Sequence, residues 1–74
     1  MKDIVSVNIE FDSNHFKELM KQKGMKYNDL SYLTGIDPST ITKYVNKRRM
    51  PCASALYKIA LALDVPMEDL LMEV

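Results

Sequence analysis

The chain has 74 residues, 47% of them apolar, a formal net charge of zero, one cysteine and one histidine. From this length we expect one domain with a modest core and no separate ligand-binding or catalytic module. Cys52 and His15 form neither a disulfide nor a metal-ligand cluster, and no oxyanion-binding loop accompanies them, so we expect no enzymatic activity, no cofactor and no small-molecule ligand.

The expected location follows from the same composition. No apolar run reaches the length of a membrane span, and no charged leader with a cleavage site begins the chain. We therefore expect a cytoplasmic protein with no membrane partner.

An alternating pattern marks the N-terminal segment. Val5, Val7, Ile9 and Phe11 alternate with polar residues, which predicts a β-strand. A lone strand needs an edge partner, and the same strand of a second copy would supply it in a homodimer. The alternative is that the segment lies over the helices without forming a strand, or frays. We expect residues 1–12 to form this arm and residues 13–74 to form a helical domain.

The first helix is predicted from about residue 13 to residue 23. Asp12 or Ser13 would cap it, Phe16, Leu19 and Met20 would face the core, and Gly24 would end it.

Two short helices joined by a tight corner are predicted next. Helical spacing continues up to Gly35, which tolerates the left-handed conformation that ends a helix. Ile36 would fill the space between the two helices. Asp37 can accept bonds from the free N–H groups of the second helix, and Pro38 suits its first position.

The helix after the corner has two distinct faces. Ile41, Tyr44 and Val45 are spaced three and four apart and would pack inward. The other positions are polar: Ser39, Thr40, Thr42, Lys43 and Asn46. Such side chains suit base edges and phosphate oxygens, as in a helix-turn-helix that places one helix in the DNA major groove. The alternative is a polar face that only contacts solvent.

Two more helices are predicted after Pro51. The first runs from about residue 53 to residue 63 and presents four apolar side chains to the core: Leu56, Ile59, Ala60 and Leu63. A last short helix opens at Val65-Pro66, with two acidic residues in its first turn. Leu70 and Leu71 would complete the core.

The charge is unevenly distributed. Residues 1–23, 24–49 and 50–74 carry net charges of 0, +3 and −3. The positive charge lies on the predicted helix-turn-helix, where it would orient the protein on a duplex. Binding by a monomer should still be weak and sensitive to salt.

Residues 16–71 resemble the Cro/repressor-type (XRE) helix-turn-helix family. The resemblance is carried by Phe16, Leu19, Lys23-Gly24-Met25, Leu30, Gly35-Ile36, Ser39-Thr40-Ile41, Pro51 and the segment LYKIALALDVPMEDLL. It implies an all-α, five-helix DNA-binding domain, to which this sequence adds an N-terminal β-strand.

The resemblance also implies roles for particular residues. Contact with base edges is expected for Pro38, Ser39, Thr42 and Lys43. Contact with the sugar-phosphate backbone is expected for Tyr27, Asn46, Lys47 and Arg48.

Three positions depart from the family pattern. Tyr27 stands where the family usually has a phosphate-binding Gln, although its hydroxyl can serve the same purpose. Lys26 replaces the usual Ser cap, so the second helix is expected to start late, with Asn28 as its cap. Lys47 replaces a Gly, which puts the left-handed exit of the third helix in question.

A second possible dimer surface lies near the C-terminus. Tyr57, Leu61, Met72 and Val74 are apolar although other residues already supply the inward faces. The alternative is that Tyr57 and Leu61 widen the core.

The sequence thus predicts a sequence-specific transcriptional regulator that binds double-stranded DNA. We expect a small repressor of the phage or mobile-element type, acting as a homodimer on a palindromic operator. The alternative is a protein-interaction module, such as an antitoxin or accessory factor, that uses the same helical fold.

Overall fold

The computed structural model describes residues 7–74, which form a small, mostly helical domain. Strand β1 (Ile9–Phe11) is followed by helices α1 (Ser13–Gln22), α2 (Tyr27–Thr34), α3 (Pro38–Val45) and α4 (Ala53–Leu63). A 3₁₀ turn (Met67–Leu70) and strand β2 (Leu71–Glu73) complete the described chain.

The prediction of five helices is wrong, because the described residues form four α-helices. The predicted last helix is the single 3₁₀ turn, with Pro66 before it. At Leu71 the backbone is already extended, with φ −122° and ψ 149°, and it continues as β2. The C-terminal segment therefore leaves the helical conformation after one turn in order to pair as a strand.

Strand β1 has a partner within its own chain, contrary to the prediction of a lone strand. It pairs antiparallel with β2, with Phe11 opposite Leu71 and Ile9 opposite Glu73. Val7 precedes the strand, and Val5 lies outside the described residues. The backbone groups of β1 that face β2 are therefore bonded within the chain, without a second copy.

The caps of α1 agree with the prediction. Asp12 is the N-cap, and its carboxylate accepts a bond from the His15 N–H at 3.0 Å. At the other end, Gly24 takes φ +62°, as the left-handed exit requires.

Helix α2 starts at Tyr27 with Lys26 as its N-cap, so the predicted late start with Asn28 as the cap is wrong. The Asp29 carboxylate accepts a bond from the Lys26 N–H at 3.0 Å. This is one half of a capping box, since a lysine side chain has no acceptor for the reciprocal bond. This one bond from the acidic residue is enough for α2 to begin at Tyr27.

The core forms where the four helices, β1 and the 3₁₀ turn meet. Its fully buried side chains are Phe16, Leu30, Ile41, Ile59, Leu63 and Leu70. All the inward positions predicted for α1, α3 and α4 are buried, whereas Leu71 is only half-buried. The polar face of α3 is therefore held outward by a well-packed inner face.

Candidate nucleic-acid interface

The corner between α2 and α3 is held by Gly35 and Thr34. Gly35 adopts φ +73° and donates its N–H to the Ser31 carbonyl at 2.8 Å. The buried Thr34 hydroxyl donates to the Leu30 carbonyl at 2.7 Å and accepts from the Ile36 N–H at 3.2 Å. One side chain thus bonds the last turn of α2 to Ile36, the second residue after the helix.

Thr34→Val is expected to lower the free energy of unfolding by about 1–3 kcal/mol, because the part-buried Ile36 N–H loses its acceptor. Urea denaturation measures the change. Thr42→Val is the matched control, since the Thr42 hydroxyl also donates to a carbonyl four residues earlier, at 3.0 Å, but is exposed. An equal loss in both variants would contradict a special role for the buried hydroxyl.

Helix α3 begins as predicted but is capped differently. Asp37 is the N-cap residue and Pro38 the first helical residue, yet the Asp37 carboxylate bonds none of the helix N–H groups. It accepts instead from the Ser39 hydroxyl at 3.4 Å. The prediction that the Asp37 side chain caps α3 is therefore wrong, because its carboxylate bonds the Ser39 hydroxyl and not the backbone N–H groups of the helix.

The outer face of α3 carries the predicted base-contacting residues. Ser39, Thr42 and Lys43 are exposed and Pro38 is half-buried. The Thr42 hydroxyl donates to the Pro38 carbonyl, which leaves the hydroxyl oxygen free to act as an acceptor. Lys43 therefore supplies the strongest donor on this face, with three N–H bonds on a flexible stem.

The chain leaves α3 through a left-handed residue, as in the family, although that residue is lysine. Lys47 has φ +60° and donates its N–H to the Tyr44 carbonyl at 3.2 Å. The Arg48 N–H reaches back to the Lys43 carbonyl at 2.9 Å. These two bonds form a Schellman motif, so the backbone conformation survives the loss of glycine. Asn46, Lys47 and Arg48 all lie exposed just past the polar face of α3.

Lys47→Gly is expected to raise the free energy of unfolding by about 1 kcal/mol, because a side chain in the left-handed region is strained and glycine is not. The same variant should lower affinity for any duplex through loss of a cation. Lys47→Ala is the matched control for stability, since it removes the charge and keeps the strain. Equal unfolding free energies of the two variants in urea would contradict this explanation.

Tyr27 is held in place by packing. Its ring is stacked on Phe16, with centroids 6.5 Å apart and an angle of 18° between the planes. The residue is half-buried at the first position of α2. The ring thus belongs to the edge of the core, and the hydroxyl is the part suited to a phosphate oxygen.

Arg49 is an exposed cation that the sequence reasoning did not assign to a site. It lines an open cavity between β1 and the end of α3, together with Lys47 and Met50. The signal was the unbroken basic run that starts at Lys47, of which only the first two residues received a role.

Cys52 is exposed at the N-cap position of α4, and its thiol pKa is lowered from 9.0. The backbone N–H of Ala55 contributes most, and the Ser54 N–H and the Arg49 charge contribute further. Partial positive charge at a helix N-terminus favours the thiolate.

The alkylation rate of Cys52 by iodoacetamide is expected to rise at lower pH in the folded protein than in the urea-denatured chain. Since the folded pKa lies below the unfolded one, the thiolate favours the folded state above the unfolded pKa, and this contribution is lost as pH falls through the folded pKa. Identical pH midpoints in the two states would contradict the assignment.

Other site types find little support in residues 7–74. Within that range no three His, Cys, Asp or Glu side chains cluster as a metal site requires. No helix there is long and apolar enough to cross a bilayer.

Comparison with known proteins agrees with this geometry. The chain is similar to the restriction-modification controller protein C.AhdI from Aeromonas hydrophila, with 28% sequence identity and a TM-score of 0.74. The similarity covers 78% of this chain and 88% of that one. Curated protein sequences contain no match. The family model for the Cro/C1-type HTH DNA-binding domain matches residues 15–72. The chain therefore belongs to the Cro/C1-type helix-turn-helix family of DNA-binding transcriptional regulators.

Proposed function

We propose that this regulator is a sequence-specific repressor that inserts α3 into the DNA major groove and blocks a promoter by occupying it. The observation that carries the proposal is the exposed face of Ser39, Thr42 and Lys43, backed by a buried face and followed directly by three basic residues. Residues 13–74 would form the DNA-binding domain, with residues 1–12 as an arm.

Base recognition is assigned to the first two turns of α3. Lys43 would donate to acceptor atoms on base edges, and Ser39 and Thr42 would offer oxygen acceptors and a methyl contact. Pro38, at the first helical position, would approach the bases through its ring. Side chains at the N-terminal end of a recognition helix are the ones that reach the floor of the groove.

Backbone contacts are assigned to both sides of this reading face. Asn46, Lys47 and Arg48 follow α3, and Tyr27 begins α2. Their cations and polar hydrogens would hold phosphate oxygens and set the docking angle of α3. The net charge of +3 on residues 24–49 supports the proposal that this side of the molecule faces DNA.

A homodimer is proposed through the outer face of α4. Tyr57 and Leu61, one helical turn apart, are 55% and 63% exposed, which contradicts the alternative that they widen the core. Met72, on β2, is half-buried and is therefore a less exposed candidate for this interface than Tyr57 or Leu61. Two recognition helices about 34 Å apart would then read a palindromic site.

Strand β1 is a less suitable dimer surface in the folded domain than the alternating sequence pattern suggests. Val7 is half-buried and Ile9 is 47% exposed, so an apolar patch exists. However, the open side of β1 lies beside Lys47 and Arg49, and a second copy would bring four cations together. Charge repulsion therefore favours α4 over β1.

Selection of bound sites from randomised duplex tests the proposal. We expect an enriched palindrome with half-sites about one helical turn apart, and affinity that falls steeply between 50 and 200 mM salt, by about 10³-fold or more for a dimer. The repressor assignment, of the phage or mobile-element type, predicts loss of transcription from a promoter that overlaps the selected site. No enriched motif would contradict sequence-specific binding.

The second candidate function is a protein-interaction module such as an antitoxin or accessory factor. The zero net charge and the exposed apolar side chains on α2 and α4 favour it. It predicts binding to random duplex that is weak at all salt concentrations and shows no steep loss.

A further inference from the structure

Within residues 7–74, strand β1 pairs along one of its two edges, the one that faces β2. The Val74 N–H donates to the Asn8 carbonyl at 2.9 Å, and the Asp12 N–H donates to the Leu70 carbonyl at 2.8 Å. These bonds, one at each end of the pairing, show which residues of β1 face β2 with their backbone groups. In an antiparallel pair the bonded residues alternate, so the N–H and C=O groups of Ile9 and Phe11 point away from β2. Among the described residues, the backbone groups on this outer edge have no partner strand, so the edge presents donors and acceptors to an incoming strand.

A cavity of about 220 Å³ lies along this outer edge. It is lined by β1, Tyr44, Lys47, Arg49 and Met50, and by no residue of β2. The buried rings of Phe11 and Tyr44, 6.2 Å apart, form its apolar part. The space is large enough for one apolar side chain and too small for a second helix.

The charges around the cavity favour an acidic occupant. Lys47 and Arg49 are exposed cations, against the single carboxylate of Glu10. Two cations beside unpaired strand groups attract carboxylates and repel another copy of the same strand.

We propose that the outer edge of β1 binds an extended, acidic segment of a partner protein by strand addition. The segment would bond the backbone groups of Ile9 and Phe11 and place one apolar side chain in the cavity, with carboxylates beside Lys47 and Arg49. This site is additional to DNA binding. Its affinity should be modest, because the edge is three residues long.

The site is tested by selecting, from a displayed library of random eight-residue peptides, those that bind the full chain. We expect peptides with two or more Asp or Glu residues next to a β-branched or aromatic residue. The tightest one, as a synthetic peptide, should shift the amide NMR signals of Ile9 and Phe11 and bind at least tenfold more weakly to Arg49→Glu. Lys58→Glu makes the same charge change on α4 and should leave binding within twofold.

Ile9→Pro provides a second variant that keeps the fold, because the Ile9 N–H takes no part in the ladder and proline is tolerated there. It should weaken peptide binding and leave the far-UV circular dichroism spectrum unchanged. Selected peptides without acidic enrichment, or peptides insensitive to Arg49→Glu, would overturn the proposal. If no acidic peptide is selected while Arg49→Glu weakens binding to random duplex, the cations serve the DNA backbone and the proposal is wrong.

Discussion

Replacing Lys43 with alanine is expected to reduce the preference for the selected operator over random duplex by about tenfold, which corresponds to roughly 1.4 kcal/mol. The reason is that Lys43 carries the strongest donor on the exposed face of α3, where the Ser39 and Thr42 hydroxyls already donate within the protein. Fluorescence anisotropy with operator and scrambled duplexes measures both affinities.

Arg48→Ala is the matched comparison, because Arg48 lies outside α3 and is assigned to phosphate. It should weaken binding to both duplexes alike and reduce the slope of log affinity against log salt by about 1 per protomer. If Lys43→Ala and Arg48→Ala both change affinity without changing preference, the division between base and backbone contacts is incorrect.

Leu61→Lys is expected to break the dimer. In a two-fold interface each copy would bury a new ammonium group near its counterpart, at a cost of at least about 3 kcal/mol, or about a hundredfold in the dimer dissociation constant. Sedimentation should show monomers, and the advantage of a palindrome over a single half-site should disappear.

Leu33→Lys is the control for this experiment. Leu33 on α2 is 59% exposed, close to the 63% of Leu61, and the substitution adds the same charge. It should leave the dimer intact. Dissociation in Leu33→Lys but not in Leu61→Lys would move the interface from α4 to α2, and a chain that is monomeric without any substitution would contradict the homodimer.

The predictions that succeeded rest on short-range rules. The Asp12 cap, the Gly24 and Gly35 exits and the start of α3 at Pro38 depend on neighbours within four residues, which the sequence displays directly. The inward faces of α1, α3 and α4 follow from apolar periodicity in the same way.

The errors arose where local rules compete. Asn28 looked like a better cap than Lys26, but the Asp29 carboxylate satisfies the Lys26 N–H and the helix starts earlier. Lys47 left the left-handed exit of α3 open in the sequence, and the Schellman bonds hold the residue in that conformation. In both places local hydrogen bonds, one at Lys26 and two around Lys47, outweigh the preference of a residue type.

The sequence by itself determined the helix-turn-helix, the outward polar face of α3 and the segregation of positive charge, because periodicity, caps and charge counts are properties of contiguous residues. Only the tertiary structure decided that residues 71–73 form a strand against β1, that Tyr57 and Leu61 stay exposed, and that Arg49 borders a cavity. These features join segments that are far apart in the chain, so they depend on how the helices pack, which no local pattern encodes.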